Sequence, residues 1–337
     1  MTIQNVAKKA GVSTATVSRM INETTFVNAE TKERILTAMK AVGYDPARRK
    51  RRKAPVFQSP LKHQNTAMIW VGGDDAQLTH TGQNMMQGIT EALREMGASL
   101  TVDHLDSSGY IPRALMAGKL DGIFINGPAP SPAICDQLKK FPTVWLLQTG
   151  SVDFGDRVQP DHTFAGELAY GYLVNKGCRN LCCMSYAATP GHFQYWKSRT
   201  DSFVSHAAQN GIPCSLLDLP EPDNPESRQS DLAAAAANLV NSLIRLHKKP
   251  DGLFVANNLG VYVHNELSRH SVIPMKDLFM VAGDTMVCTQ HMSPDPVKIR
   301  IFSKQIGQMA VEALLLRIRK PNMPNITHLI KPELVIP

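Results

Sequence analysis

Aromatic side chains make up 6% of this 337-residue chain, and no run of eighteen apolar residues occurs in it. The missing run excludes a membrane-spanning helix. The N-terminus carries an amphipathic pattern rather than a charged stretch followed by an apolar one, so no secretory leader is expected. A cytoplasmic protein without a membrane partner is the expectation. The six cysteines (Cys135, Cys178, Cys182, Cys183, Cys214, Cys288) lack zinc-ligand spacing. Cys182 and Cys183 lie in an apolar run, residues 181–186, where adjacent cysteines read as small buried hydrophobes. Neither a metal nor another cofactor is expected. Catalytic signatures are absent too: there is no Gly-rich phosphate loop, no G-x-S-x-G and no H-E-x-x-H. Gly72-Gly-Asp-Asp75 is a strand-end turn, too short for a dinucleotide fingerprint, and the eleven histidines are scattered. No residue is assigned a catalytic role, and the chain is not expected to be an enzyme.

Charge, by contrast, is unevenly placed. Residues 1–65 hold 13 Lys/Arg against 4 Asp/Glu, whereas residues 66–337 hold 23 against 25. The whole net charge of +7 therefore comes from the N-terminal fifth, which marks that segment as the partner of a polyanion. Within it, residues 48–53 are six successive basic side chains. Such a block repels itself and is expected to stay unfolded without a polyanion.

The same segment reads as a helix, a tight turn and a second helix. Thr2 is a candidate N-cap, and Ile3, Val6, Ala7 and Ala10 recur at helical spacing. Gly11 supplies the positive φ of a sharp turn. Ser13 caps a second helix with Val17 and Ile21 inward, leaving Thr14, Ala15, Thr16, Ser18 and Arg19 outward. Hydroxyls and a guanidinium suit phosphate oxygens and guanine edges. A third helix is expected from Thr31 to Val42, with Asn28 as cap, Ile35 and Met39 inward, and Gly43 closing it.

Val12-Ser-Thr-Ala-Thr-Val-Ser-Arg19, Asn22, the run from Val27 through Leu36, and Gly43-Tyr44-x-Pro46 together resemble the lactose-repressor/galactose-repressor family of bacterial transcription regulators. The resemblance implies that Arg19 reads a base, with Thr14 and Ala15 as weaker base contacts and Thr16, Ser18 and Asn22 on phosphate. It also implies a hinge helix between the domains that wedges a leucine into the minor groove. Here the wedge position is Lys53, and Leu61 is the only linker leucine. The basic side chains Arg48, Arg49, Arg51 and Arg52 could contact phosphate or a narrow minor groove instead.

From residue 66 onward, short apolar runs alternate with amphipathic helices. Strands are expected at 67–71, 122–126, 144–148, 181–186, 252–256 and 279–282. Helices are expected at 83–96, 164–175, 193–209, 230–246 and 261–268. Apolar strands alternating with helices imply parallel sheets covered on both faces. No internal repeat is evident. The resemblance extends here through Lys119-Leu-Asp-Gly-Ile-Phe-Ile125, Asp161, Phe254-Val-Ala-Asn257, Val281-Ala-Gly-Asp284 and Val297-Lys-Ile-Arg300. It implies a two-lobed core like periplasmic sugar-binding proteins, crossed three times by the chain. Lobe one would be about 66–158 and 297–326, and lobe two about 160–292 and 327–337. It also implies that Arg199, Asn257, Asp284 and Gln148 meet an effector.

Departures are present. Asn258 stands where the family commonly has Asp, and Thr79-His-Thr-Gly82 replaces an aromatic pair. The effector need not be a typical sugar. The expected organisation is an all-α helix-turn-helix domain at 1–45, a basic linker at 46–65, and an α/β effector-binding core at 66–337. The expected function is a repressor that binds a pseudo-palindromic DNA operator as a homodimer under control of a small polar metabolite. No leucine-heptad tail follows Glu333-Leu-Val-Ile, which favours a dimer. The alternatives are a regulator whose core has lost its ligand response, or a periplasmic-type binding protein.

Overall fold

The computed structural model describes residues 3–22, 27–44, 60–72, 79–105, 111–147, 152–187, 195–219, 229–283 and 294–337. It divides into two compact units, Met1–Gln58 and Ser59–Pro337. Thr2, the basic run with Arg48, Arg49, Arg51 and Arg52, Gln148 and Asp284 lie outside the described residues, as does the side chain of Asn22.

Unit 1 holds α1 (Ile3–Ala10), α2 (Thr14–Asn22) and α3 (Ala29–Ala41). Val6, Ala7 and Ala10 of α1 meet Val17 of α2 and Ile35, Ala38 and Met39 of α3 in one small core. Gly11 turns α1 into α2 at φ 67°, a region closed to most side chains. Asn28 caps α3 through the Thr31 N–H at 2.8 Å. Helical residues follow it immediately, so α3 begins at Ala29, two residues before the expected start.

Unit 2 contains two six-stranded sheets. In chain order its elements are β1 (Asn65–Val71), α4 (His80–Glu95), β2 (Ser99–Leu105), α5 (Arg113–Met116), β3 (Gly122–Asn126), α6 (Pro132–Leu138), β4 (Thr143–Leu146) and β5 (Asp156–Pro160). There follow α7 (His162–Asn175), β6 (Leu181–Tyr186), α8 (Tyr195–Gln209), β7 (Cys214–Leu219), α9 (Gln229–Arg245), β8 (Gly252–Val255), α10 (Gly260–Arg269) and β9 (Phe279–Ala282). The last elements are β10 (Val297–Arg300), α11 (Ser303–Arg319), β11 (Thr327–Ile330) and β12 (Glu333–Val335).

The first sheet runs β2-β1-β3-β4-β5-β11 and the second β7-β6-β8-β9-β10-β12. The same order twice exposes a repeat that the sequence pattern hides: Lys119-Leu-Asp-Gly-Ile-Phe-Ile125 leads into β3, and Lys249-Pro-Asp-Gly-Leu-Phe-Val255 into β8. All pairings are parallel except β10 with β12. The apolar central strands are where the composition places them. The edge strands β2, β7 and β11 are half-exposed and alternate in burial, so no continuous apolar run announces them.

The expected lobe boundaries need correction at the last two crossings. Residues 297–300 pair with β9 in the second sheet, and 327–330 pair with β5 in the first. The chain therefore crosses after β5, after β10 and after β11, and Phe302 makes the middle crossing at φ 55°. An apolar strand carries no label for its sheet. The hydrogen-bonding neighbour decides it.

Once across, α11 packs against α4 of the first lobe, with backbones nearly touching. A Cβ on Gly307 would lie 2.1 Å from the Met85 carbonyl oxygen, and one on Gly88 2.0 Å from that of Lys304. Gly307→Ala should therefore cost about 1–3 kcal/mol by overpacking. Gly171 on α7 has open space around it, so Gly171→Ala should instead stabilise by about 0.5–1 kcal/mol through helix propensity. Urea midpoints of the two variants should move in opposite directions. A Gly307→Ala midpoint at or above wild type would refute the tight crossing.

Candidate functional site

Two constellations stand out, one in each unit. In unit 1 the start of α2 is fixed by Ser13, whose Oγ accepts the Thr16 N–H at 3.1 Å and lies 2.9 Å from Thr16 Oγ1. Val17 is fully buried, which sets the roll of the helix. Thr14, Ala15 and Arg19 are consequently exposed, while Thr16 and Ser18 are half-buried. Ala15 and Arg19 are four residues apart and share one face. The Thr16 hydroxyl is engaged in the cap, which makes it a weaker phosphate candidate than its spacing suggested. Asn22 ends the helix.

Behind α2, Arg34 of α3 donates from Nη2 to the Ala10 carbonyl at 2.8 Å, closing the end of α1. A Cβ on Gly11 would meet that same nitrogen at 3.0 Å. The turn that aims α2 is thus held from both sides. Sequence periodicity marked Gly11 but not Arg34, because a charged residue on a helix reads first as solvated.

In unit 2, Arg199 of α8 is 1% exposed. Its Nη1 donates to the carbonyls of Ala256, at 3.1 Å, and Gly283, and its Nε donates to His162 Nδ1 at 3.2 Å. Ala256 and Gly283 follow the carboxyl ends of β8 and β9, and His162 opens α7. One guanidinium therefore ties three elements together where ligands enter open parallel sheets. Close approach of α7 and α8 makes this possible. A Cβ on Gly166 would sit 2.3 Å from the Arg199 carbonyl oxygen.

Asn257 adjoins this node and is fully buried. Its Oδ1 accepts the Leu259 N–H at 3.1 Å, and its Nδ2 is without a partner among the described residues. A buried amide donor left over at a strand end is a group waiting for an acceptor. Thr200 Oγ1 donates to Ser185 Oγ at 3.0 Å nearby. The structure thus brings together Arg199 and Asn257. The Thr79 of the departing stretch 79–82 serves as the N-cap of α4, accepting the Gly82 N–H at 3.0 Å.

His162 was not foreseen, since scattered histidines show no spacing. Its place directly after Asp161, at the end of β5, is the signal that could have found it. Burial, and then the neighbouring Arg199 charge, push its pKa well below 6.5. The ring is neutral, accepts from Arg199 at Nδ1 and so carries its proton on Nε2. Burial likewise pushes up the thiols of Cys182 and Cys183, consistent with inert core residues.

Residues 2–47 match the family described as bacterial regulatory proteins, lacI family, and residues 170–336 match the periplasmic binding protein-like domain. The chain belongs to the lacI family. Among curated lacI relatives, the HTH-type transcriptional repressor PurR of Vibrio cholerae is 25% identical over 99% of this chain and 96% of its own length. The ribose operon repressor of Escherichia coli K12 is 22% identical over 96% and 94%. Two solved structures share the fold over 100% of this chain and 98% of theirs, each at 20% identity. They are a CelR transcriptional regulator complexed with cellobiose (TM-score 0.65) and the lac repressor dimer bound to operator and an anti-inducer (TM-score 0.64).

The buried imidazole gives this lacI-family core a pH signature. Below 6.5 the unfolded chain takes up a proton at His162 that the folded chain refuses, so this residue lowers stability as pH falls. Between pH 7 and pH 5 its share is about 2 kcal/mol. His162→Asn keeps an acceptor for Arg199 and removes the proton site. The gap between wild-type and variant unfolding midpoints should shift in favour of the variant by that amount on acidification. A gap independent of pH would contradict the neutral buried ring.

Proposed function

We propose that this lacI-family protein is a cytoplasmic transcriptional repressor that binds a pseudo-palindromic operator as a homodimer. A small polar metabolite in the cleft at Arg199 and Asn257, with Gln148 and Asp284 contributing, changes its DNA affinity. The observation that carries the reading is the exposed face of α2, with Thr14, Ala15 and Arg19 presented by a fixed turn on the one strongly basic segment of the chain. A single three-helix unit reads too few base pairs for operator-level specificity. Two copies on symmetric half-sites, one helical turn or a multiple apart, supply the rest.

The relatives support the class of function: both named above are repressors. Neighbouring structures bind cellobiose in one case and ribose in another, which supports a polar metabolite as effector here. Arg199 offers charge and directional donors to hydroxyl or carboxylate oxygens, and Asn257 offers an amide donor.

Arg19 is assigned to a base edge and the side chains of Arg48, Arg49, Arg51 and Arg52 to phosphate or a narrow minor groove. These assignments separate in one binding experiment on a duplex enriched from a random-sequence pool by the full chain. Arg19→Ala should weaken that duplex by about 1–3 kcal/mol and leave bulk DNA nearly unchanged. Replacing the four linker arginines with Gln should weaken both alike and flatten the slope of log K against log salt by about 2–4. An Arg19→Ala protein that binds the enriched duplex as wild type would remove α2 from the reading. An unchanged slope would make the linker a spacer.

A further inference from the structure

The two lobes carry the same backbone clasp, and only one of them uses it to receive a DNA-binding unit. In the second lobe Asp251 precedes β8, and its two carboxylate oxygens accept the Arg179 N–H at 3.0 and 2.9 Å and the Asn180 N–H at 2.9 Å. The Asp251 N–H donates back to the Asn180 carbonyl at 2.9 Å, and Asn180 Nδ2 donates to the Lys249 carbonyl at 2.8 Å.

In the first lobe Asp121 repeats each of these bonds. It accepts the His63 N–H at 2.9 and 3.0 Å and the Asn65 N–H at 3.1 Å. Its own N–H donates to the Asn65 carbonyl at 2.8 Å, and Asn65 Nδ2 donates to the Lys119 carbonyl at 3.4 Å. The difference is one inserted residue, Gln64, held at φ 52° between the two clasped amides. In the second lobe the segment entering the clasp is the end of α7. In the first it is the chain arriving from unit 1. Leu61, two residues ahead of the clasp, is 3% exposed and packed in the first-lobe core.

We propose that Asp121 is a positioning residue for DNA binding. It fixes the point where the connecting chain leaves the core, so that movement of the first lobe is delivered to the residues before Pro60 instead of being absorbed in 60–65. The proposal rests on the repressor reading above. Its physical basis is length. Freeing residues 60–64 adds five residues of slack, about 17 Å when extended, on each side of a dimer whose half-sites are about 34 Å apart. Slack on that scale uncouples core geometry from half-site spacing. Carboxylate-to-amide bonds are among the stronger hydrogen bonds available to prevent it.

Asp121→Asn and Asp251→Asn form a matched pair, since both weaken the same clasp and only one touches the connecting chain. On the duplex enriched by wild type, Asp121→Asn should bind about tenfold more weakly, as the effective concentration of the second DNA-binding unit falls. Asp251→Asn should stay within about twofold of wild type, and both variants should bind bulk DNA as wild type does. Equal loss in both, or none in either, overturns the proposal. A wild-type chain that enriches no duplex overturns the repressor reading as well, which separates the two failures. Should Asp121→Asn not fold, amide exchange in the wild-type chain decides. His63 and Asn65 should exchange as slowly as the amides of β1 with the duplex bound, and fast exchange there would show the anchor undone.

Discussion

A guanidinium taken wholly out of water must be supplied with acceptors, and the second lobe is arranged around that need at Arg199. The carbonyls of Ala256 and Gly283 are available because two parallel strands end side by side. His162 is available because α7 starts at the same level. Gly166 lets α8 come close enough to deliver the side chain. Each contribution is a backbone placement before it is a side-chain contact. The result is a stiff node at the carboxyl ends of β8 and β9, where a change in occupancy alters the packing of several elements at once. Such a node is suited to bias an equilibrium between two arrangements of the lobes.

The two lobes are copies in strand order and in their aspartate clasps, yet they differ in what they receive. The second lobe has its clasp closed on its own helix. The first lobe has its clasp closed on the chain from the DNA-binding unit. The crossings after β5, β10 and β11 tie the copies together, and the third is reinforced where Arg317 bonds Asp156 through Nη2 at 2.6 Å and Nε at 3.0 Å while the same carboxylate takes the Ile326 N–H at 2.8 Å. Breaking a buried pair of this kind leaves an uncompensated charge, so the start of β11 is firmly fixed.

What could be read from the sequence follows from which signals are local. The three helices of unit 1 were legible because each has its own cap or turn residue and a short apolar stripe: Ser13, Gly11 and Asn28 with Val6, Val17 and Ile35. The central strands were legible because burial on both faces leaves continuous apolar runs. The edge strands were not, since a half-wet strand such as β7 looks like any polar-apolar alternation. The sheet membership of β10 and β11 was not legible either, because pairing is a long-range choice. Arg199 and Asn257 were placed by resemblance, and their neighbourhood supports a cleft. His162, Arg34 and Asp121 were missed because a single polar residue has a solvated reading until its partner is known.

The central claim is that the strand ends at Arg199 and Asn257 hold a ligand. The most direct measurement is the thermal midpoint of the full chain against a panel of sugars and small carboxylates, in wild type and in Asn257→Ala. Asn257 is the better probe because its Nδ2 has no partner among the described residues to lose, so the variant should keep a near-wild-type midpoint alone. At a hundred times its Kd a ligand adds about 2.7 kcal/mol to stability. The account predicts that at least one compound raises the wild-type midpoint and fails to raise that of the variant. A shift of equal size in both proteins, or no shift from any compound, would contradict it.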